Sequence, residues 1–230
     1  MTAPTASGVP WKRWLALLAL VVVLTVAFVN LAQWQFRRLD ERRGTNATVV
    51  AHEDAPVLPY EKVFDHPVVD ADAWQRVTVT GTFDAAHQLI VRYRNNGDSA
   101  GYEVVVPLRA TDGRVVLIDR GFVTRPAGQD FPTSVAAPPT GQVTVVGHVR
   151  RNEQGPDIAT TPVSGSLRLI NSDAIGAASG LSLVNGYIGA LEMSPAQQGF
   201  TPIATPPLDE GPHLSYAFQW ISFAVIALVG

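Results

Sequence analysis

Two uncharged apolar stretches, one at each end, restrict what this chain can fold into more than anything between them. From Trp14 to Ala32 the sequence reads WLALLALVVVLTVAFVNLA, nineteen residues without a charge. As a helix it covers roughly 28 Å, close to the hydrocarbon thickness of a bilayer. Trp11, Trp14 and Trp34 flank it, where indole rings settle at the two interfaces. The rival reading is a cleaved signal peptide, with Lys12 and Arg13 as its basic region and Thr25-Val26-Ala27 as the cleavage site. The apolar run continues past that site, which favours an uncleaved anchor. The second stretch, Leu214 to Gly230, reads LSYAFQWISFAVIALVG and is also uncharged. It would span some 25 Å. It stops on Gly230 without a polar tail, so a span truncated at or near that point is expected. Gln219 inside it suggests contact with protein, because a lone amide in lipid lacks a partner. A buried core helix is the alternative.

Between the two stretches the texture changes after Gly44. Short β-branched runs alternate with Gly, Asn, Asp and Pro. The pattern predicts strands over 74–83, 87–94, 102–109, 114–119, 142–150, 166–170 and 184–192, with turns at Asn95-Asn96-Gly97-Asp98 and Asp112-Gly113. One short helix is predicted over 172–180, capped by Asn171 or Ser172 and closed by Gly180. The Pro-rich stretches 126–139 and 202–212 read as surface loop and linker. The expected fold class is therefore membrane α + β: two transmembrane helices flank a mainly antiparallel β domain, an open sheet, sandwich or barrel. The expected boundaries are a tail over 1–13, a first span over 14–34 with its helix continuing to about 43, the β domain over 44–212, and a second span over 213–230.

The residue inventory excludes much chemistry. With no cysteine among the 230 residues there is no disulfide, thiolate metal site or cysteine nucleophile. A net charge of −3 and the lack of a basic stripe argue against nucleic acid as a partner. There is no P-loop, no HExxH helix and no GxSxG elbow; Ser164-Gly165-Ser166 lacks that frame. Enzymatic activity is not expected, and a membrane-tethered hydrolase would need a nucleophile, base and acid that the sequence does not offer. The histidines His52, His66, His87 and His148 are scattered singly and read as surface or strand residues. His213 differs by standing at the mouth of the second apolar stretch, where a neutral imidazole could face a cofactor held between helices. Trp34 and Arg38 share a helix face. Arg37 and Arg38 suit lipid phosphate, haem propionates or the acidic face of a partner subunit. Arg120, closing the Asp119-Arg120-Gly121-Phe122 run, reads as a structural arginine or a docking contact, with the structural reading preferred. Orientation is left open: Lys12 and Arg13 precede the first span, while Arg37, Arg38, Arg42 and Arg43 follow it.

The order of six short motifs resembles one family, the surfeit-locus protein 1 family of cytochrome c oxidase assembly proteins. An LGxWQxxR-type stretch matches Leu31-Ala32-Gln33-Trp34-Gln35-Phe36-Arg37-Arg38. RVxVxGxF matches Arg76 to Phe83, and GYxVxxPL matches Gly101 to Leu108. The RGW signature appears as Arg120-Gly121-Phe122, and GxVxVxGxxR matches Gly141 to Arg150. An NHLxYAxxW-type segment matches His213 to Trp220, with Pro212 in place of the asparagine. The resemblance implies a bacterial cytoplasmic or mitochondrial inner membrane location, both termini inside and the β domain outside. The tail MTAPTASGVP carries no arginine, so no transit peptide is expected and a bacterial member is favoured. It further implies assistance to maturation of the haem–copper oxidase core subunit, with haem a as candidate cargo and His213 as its candidate ligand. Partner contacts are then expected at Gln33, Trp34, Arg120, Tyr216, Gln219 and Trp220, alongside membrane lipid. The alternative is a resident accessory subunit of the oxidase or of a respiratory supercomplex, with no cofactor of its own. In either case Gln33, Trp34, Arg37 and Arg38 are expected to share roughly one face with His213, Tyr216 and Trp220.

Overall fold

The computed structural model describes residues 11–229, which divide into two compact units: residues 11–47 with 208–229, and Thr48–Pro207.

The first unit is a pair of helices. Helix α1 (Trp11–Glu53) runs 43 residues, with residues 48–53 belonging to the second unit. Its most apolar 18-residue window has a mean hydropathy of 2.8, and it is long and apolar enough to cross a membrane. The helix ends ten residues beyond the expected limit of about 43. An internal glycine costs a helix only about 1 kcal/mol, and local bonds offset that at Gly44. Arg38 pairs with Glu41 at 2.9 Å, and Thr45 Oγ1 donates to Glu41 O at 3.1 Å. Arg43 grips both carboxylate oxygens of Glu210, at 2.7 and 2.9 Å, and Asn46 Nδ2 donates to Leu208 O at 2.9 Å. Residues 208–210, the part of the expected linker within this unit, are thus bonded along α1.

Helix α4 (His213–Val229) has 17 residues, uncharged apart from His213 at its start. That makes it a shorter apolar helix, below the ~20 residues that a bilayer core takes. Among the described residues α1 is the one helix that meets the length and apolarity of a span, so the expected second span is not shown.

The two helices pack antiparallel. Phe28 stacks on Trp220 with ring centroids 5.8 Å apart and planes at 21°, Phe36 meets Phe218 edge-on at 6.5 Å, and Gln35 meets His213. The less exposed positions of α1 fall at Val21, Thr25, Phe28, Ala32, Gln35 and Leu39. Those of α4 fall at His213, Ala217, Trp220, Ala224 and Ala227. Alternating steps of four and three are the seam of an antiparallel coiled-coil contact, and alanines occupy that seam on both helices.

The second unit is a β domain. Strand β1 (Leu58–Pro59) is a short parallel addition to β2 (Arg76–Phe83). Strands β3 (Leu89–Asn96) and β4 (Ser99–Ala110) form a hairpin about Gly97-Asp98, and β5 (Val115–Thr124) follows across the Asp112-Gly113 turn. Next come β6 (Gln142–Arg150), the single turn α2 (Asp157–Thr160), β7 (Ser166–Leu167), α3 (Ser172–Ser179) and β8 (Leu183–Ser194). Asn171 caps α3 by accepting from the amides of Asp173 and Ala174, and Gly180 ends it in the left-handed region. The predicted strand over 166–170 shrinks to two residues.

The pairings close on themselves. β2 pairs β6, β6 pairs β8, β8 pairs β5, β5 pairs β4, and β4 returns to β2. Five strands thus make a barrel, antiparallel except for the β5–β8 contact. Closure at β2–β4 needs Gly81: a Cβ there would lie 2.3 Å from the carbonyl oxygen of Arg109. Strict alternation separates two cores. Val104, Val106, Leu108, Val116, Ile118, Ile188 and their neighbours fill one. Val105, Leu117 and Tyr187 face the other way and pack with Val91, Leu167, Ile170 and Ile175 of α3.

Candidate functional site

The helix pair holds the most informative polar contact. His213 begins α4, immediately after Pro212 and the positive-φ Gly211. Its Nδ1 lies 2.9 Å from Gln35 Oε1, and Gln35 is 8% exposed on the seam face of α1. With the amide oxygen as acceptor, Nδ1–H donates, and in a neutral ring that would leave the lone pair on Nε2. A ring fixed through one nitrogen by a neighbour's oxygen is the arrangement that presents the other nitrogen to a metal. These residues would suit a cofactor metal that takes one imidazole nitrogen, with His213 as the group that would hold it.

The helical faces differ from the expected ones. Of the residues anticipated to share a face, His213 and Trp220 lie in the seam. Trp34 and Tyr216 are exposed by 44% and 45%, and Gln33, Arg37, Arg38 and Gln219 are exposed as well. One helical step separates Trp34 from Gln35, and that rotation of about 100° puts the glutamine in the seam and the tryptophan outside it. Arg38 packs over Trp34 at 5.8 Å on that outer face. The sequence placed Gln35 inside the matched motif without giving it a role. The signal available was the four–three alternation running through Phe28, Ala32, Gln35 and Leu39.

In the β domain Arg120 is 2% exposed. It donates to Gln197 Oε1 at 3.0 Å, Gln88 Oε1 at 2.8 Å and Ala136 O at 2.6 Å, and lies 4.2 Å from the Phe200 ring. Burial lowers its pKa to about 10, so it remains charged at neutral pH. The guanidinium ties the 136–137 loop and the 197–200 segment to β5.

A second buried cluster joins β3, β4 and β5. Arg94 Nε lies 2.8 Å from Glu103 Oε2, close enough for an ion pair although out of line for a hydrogen bond. Arg94 Nη2 donates to both oxygens of Glu153 at 2.8 Å. Asp119, 2% exposed, accepts from the amide of Gly121 at 2.9 Å. Burial and then the Asp119 charge push the Glu103 carboxyl well above the usual range, with Arg94 opposing. The cluster stitches strands together.

No catalytic constellation forms among the described residues. His87 Nδ1 lies 2.8 Å from Asp84, and Ser179 lines the same cavity of about 230 Å³ as His87. However, Ser179 Oγ donates into its own helix, to Ile175 O at 2.8 Å, and makes no bond to His87. No group of three or more His, Cys, Asp or Glu side chains could hold a metal ion among the described residues.

With the barrel, the helix pair and the His213–Gln35 contact in place, comparison with known proteins is decisive. The SURF1 family matches residues 22–225. The chain belongs to the SURF1 family. It is also similar to SURF1-like proteins of Mycobacterium bovis and Mycobacterium tuberculosis, both described as uncharacterised. Each is 32% identical over 224 residues, covering 94% of this chain and 81% of the relative. The SURF1 match begins inside α1 and ends inside α4, so both helices belong to the shared unit.

Proposed function

We propose that this SURF1 protein is a non-catalytic assembly factor for the haem–copper cytochrome c oxidase, holding haem a during maturation of the core subunit. The observation that carries this reading is the His213–Gln35 contact at 2.9 Å. Haem a, when bound, would supply an iron that His213 would hold through an imidazole nitrogen. Gln35 fixes the ring and its tautomer, which leaves His213 Nε2 for that role. Arg38, beside Trp34 on the outer face, and Arg37 offer cations for carboxylates or lipid phosphates. The antiparallel packing of α4 on α1 supports a two-pass arrangement, and the proposed role places it in a bacterial cytoplasmic membrane with the β domain on the extracytoplasmic side.

The test is complementation of a strain lacking the protein. His213→Ala is expected to insert normally yet leave the oxidase depleted of haem a absorbance, and Gln35→Leu to give an intermediate level. Full haem a content with His213→Ala would overturn the reading.

A resident accessory subunit is favoured by one observation: Gln33 and Gln219 are exposed beside or within the apolar stretches of α1 and α4, where an amide in lipid seeks a protein partner. Stoichiometric co-purification with mature oxidase would support it; recovery only with haem-deficient intermediates would sink it.

A further inference from the structure

A strained tyrosine marks a second surface, on the β domain. Tyr93 sits at the bulge between Arg92 and Arg94 of β3, with φ at 62° and 62% of its surface exposed. Left-handed backbone at a bulky residue is strained and persists only where the surroundings enforce it. Here the ring is held between the Arg168 guanidinium, 4.9 Å from its centroid, and Phe131, edge-on at 4.9 Å. Phe131 in turn carries Arg92 at 5.7 Å and Arg125 at 4.6 Å. Three guanidiniums are thus gathered on two rings.

None of the three is neutralised. Among the described residues no carboxylate lies within 4.0 Å of Arg92, Arg125 or Arg168. The Nε atoms of Arg92 and Arg125 are shielded from solvent and have no acceptor. Arg92, Tyr93 and Arg168 also line two adjoining cavities of about 630 and 350 Å³. The larger is rimmed by Ile158 and Val163, which are 84% and 64% exposed. β7 covers β3 only at Ile90 and Val91, so beyond Val91 that side of β3 has no strand partner among the described residues.

We propose that this surface docks an extended acidic segment of a partner protein. Its carboxylates meet Arg92 and Arg168, its aliphatic side chains cover Ile158 and Val163, and its backbone lies along the open edge of β3. The strand edge decides the class of ligand. A phosphate or a lipid headgroup would use the guanidiniums but leave the edge and the aliphatic rim unmatched, whereas an added strand uses all three. The proposal does not depend on the oxidase reading.

The test uses the full chain in phosphatidylcholine nanodiscs and a fluorescein-labelled peptide of alternating Glu and Val, about eight residues long, a typical strand length. Anisotropy should show saturable binding that weakens as salt rises. The double variant Arg92→Gln, Arg168→Gln should weaken it by about ten-fold or more, the loss of two charge-assisted contacts. Ile158→Ser should weaken it several-fold, while Arg109→Gln, an exposed arginine elsewhere on the barrel, should leave it unchanged. Equal affinity in all variants, or no saturable binding, would overturn the proposal. So would displacement of the peptide by inorganic phosphate, or tighter capture by phosphatidylglycerol nanodiscs than by the peptide, since either would assign the arginines to a phosphate.

Discussion

His213 and His148 show how far surroundings separate two copies of one side chain. His213 Nδ1 lies 2.9 Å from Gln35 Oε1 at the start of α4. His148 lies on β6, 9% exposed, edge-on to Trp74 at 5.5 Å, and Arg150 covers the same indole at 4.0 Å. Burial first, then the positive charges of Arg150 and Arg76, hold the His148 pKa down from 6.5 to about 4. Between those values the unfolded chain binds the proton and the folded chain does not. The contribution to stability is therefore present above the ordinary histidine range and lost as pH falls toward 4. Urea unfolding at pH 7 and pH 4.5 should show a smaller acid loss for His148→Phe than for wild type; equal losses would contradict this. Arg120 is tested in the same way. Arg120→Ala strands two glutamine oxygens and the Ala136 carbonyl, and should cost about 2–4 kcal/mol. A change within error of zero would mean that the loops are held by other contacts.

At the scale of elements, the helix pair makes a sharper prediction, because the chain has no cysteine of its own. Ala32 and Ala217, 4% and 0% exposed, lie in the seam. Ala32→Cys with Ala217→Cys should cross-link readily under mild oxidation, and Gln33→Cys with Tyr216→Cys should not. The reverse pattern would move the seam to the other face. The same elements show what was legible in the sequence. Two-residue alternation placed β2, β6 and β8 to within a few residues, and Asn171 with Gly180 bracketed α3, because strand period and helix caps are local signals. The parallel β5–β8 pairing and the β2–β4 closure join residues far apart in the chain, and no local pattern reports them. Gly44 misled because a glycine following a run of charges reads as a helix end. What overrides it are bonds from Arg43 and Asn46 to residues 208–210, which are more than 160 positions away. Within the candidate site His213 was legible from its position beside Pro212. Gln35 was not, because its importance lies in the partner it meets.

For the whole molecule, barrel closure and the helix pair are separable requirements. Gly81→Val places a branched side chain where even a Cβ would lie 2.3 Å from Arg109 O. It should therefore open β2–β4 and lower the unfolding midpoint by the equivalent of about 3 kcal/mol or more. Wild-type stability in that variant would mean that the closure is dispensable. The helices carry the central claim, that this SURF1 protein presents a histidine for haem a from the α1–α4 pair. The most direct measurement is an equilibrium titration of haem a into the full chain in lipid nanodiscs, followed by visible absorption, for wild type, His213→Ala and Gln35→Leu. Saturable binding with an imidazole-ligated spectrum is predicted for wild type, loss of that spectrum for His213→Ala, and an affinity about ten-fold or more weaker for Gln35→Leu, the usual effect of removing the group that orients a ligand. One spectrum and one affinity across all three proteins would contradict it.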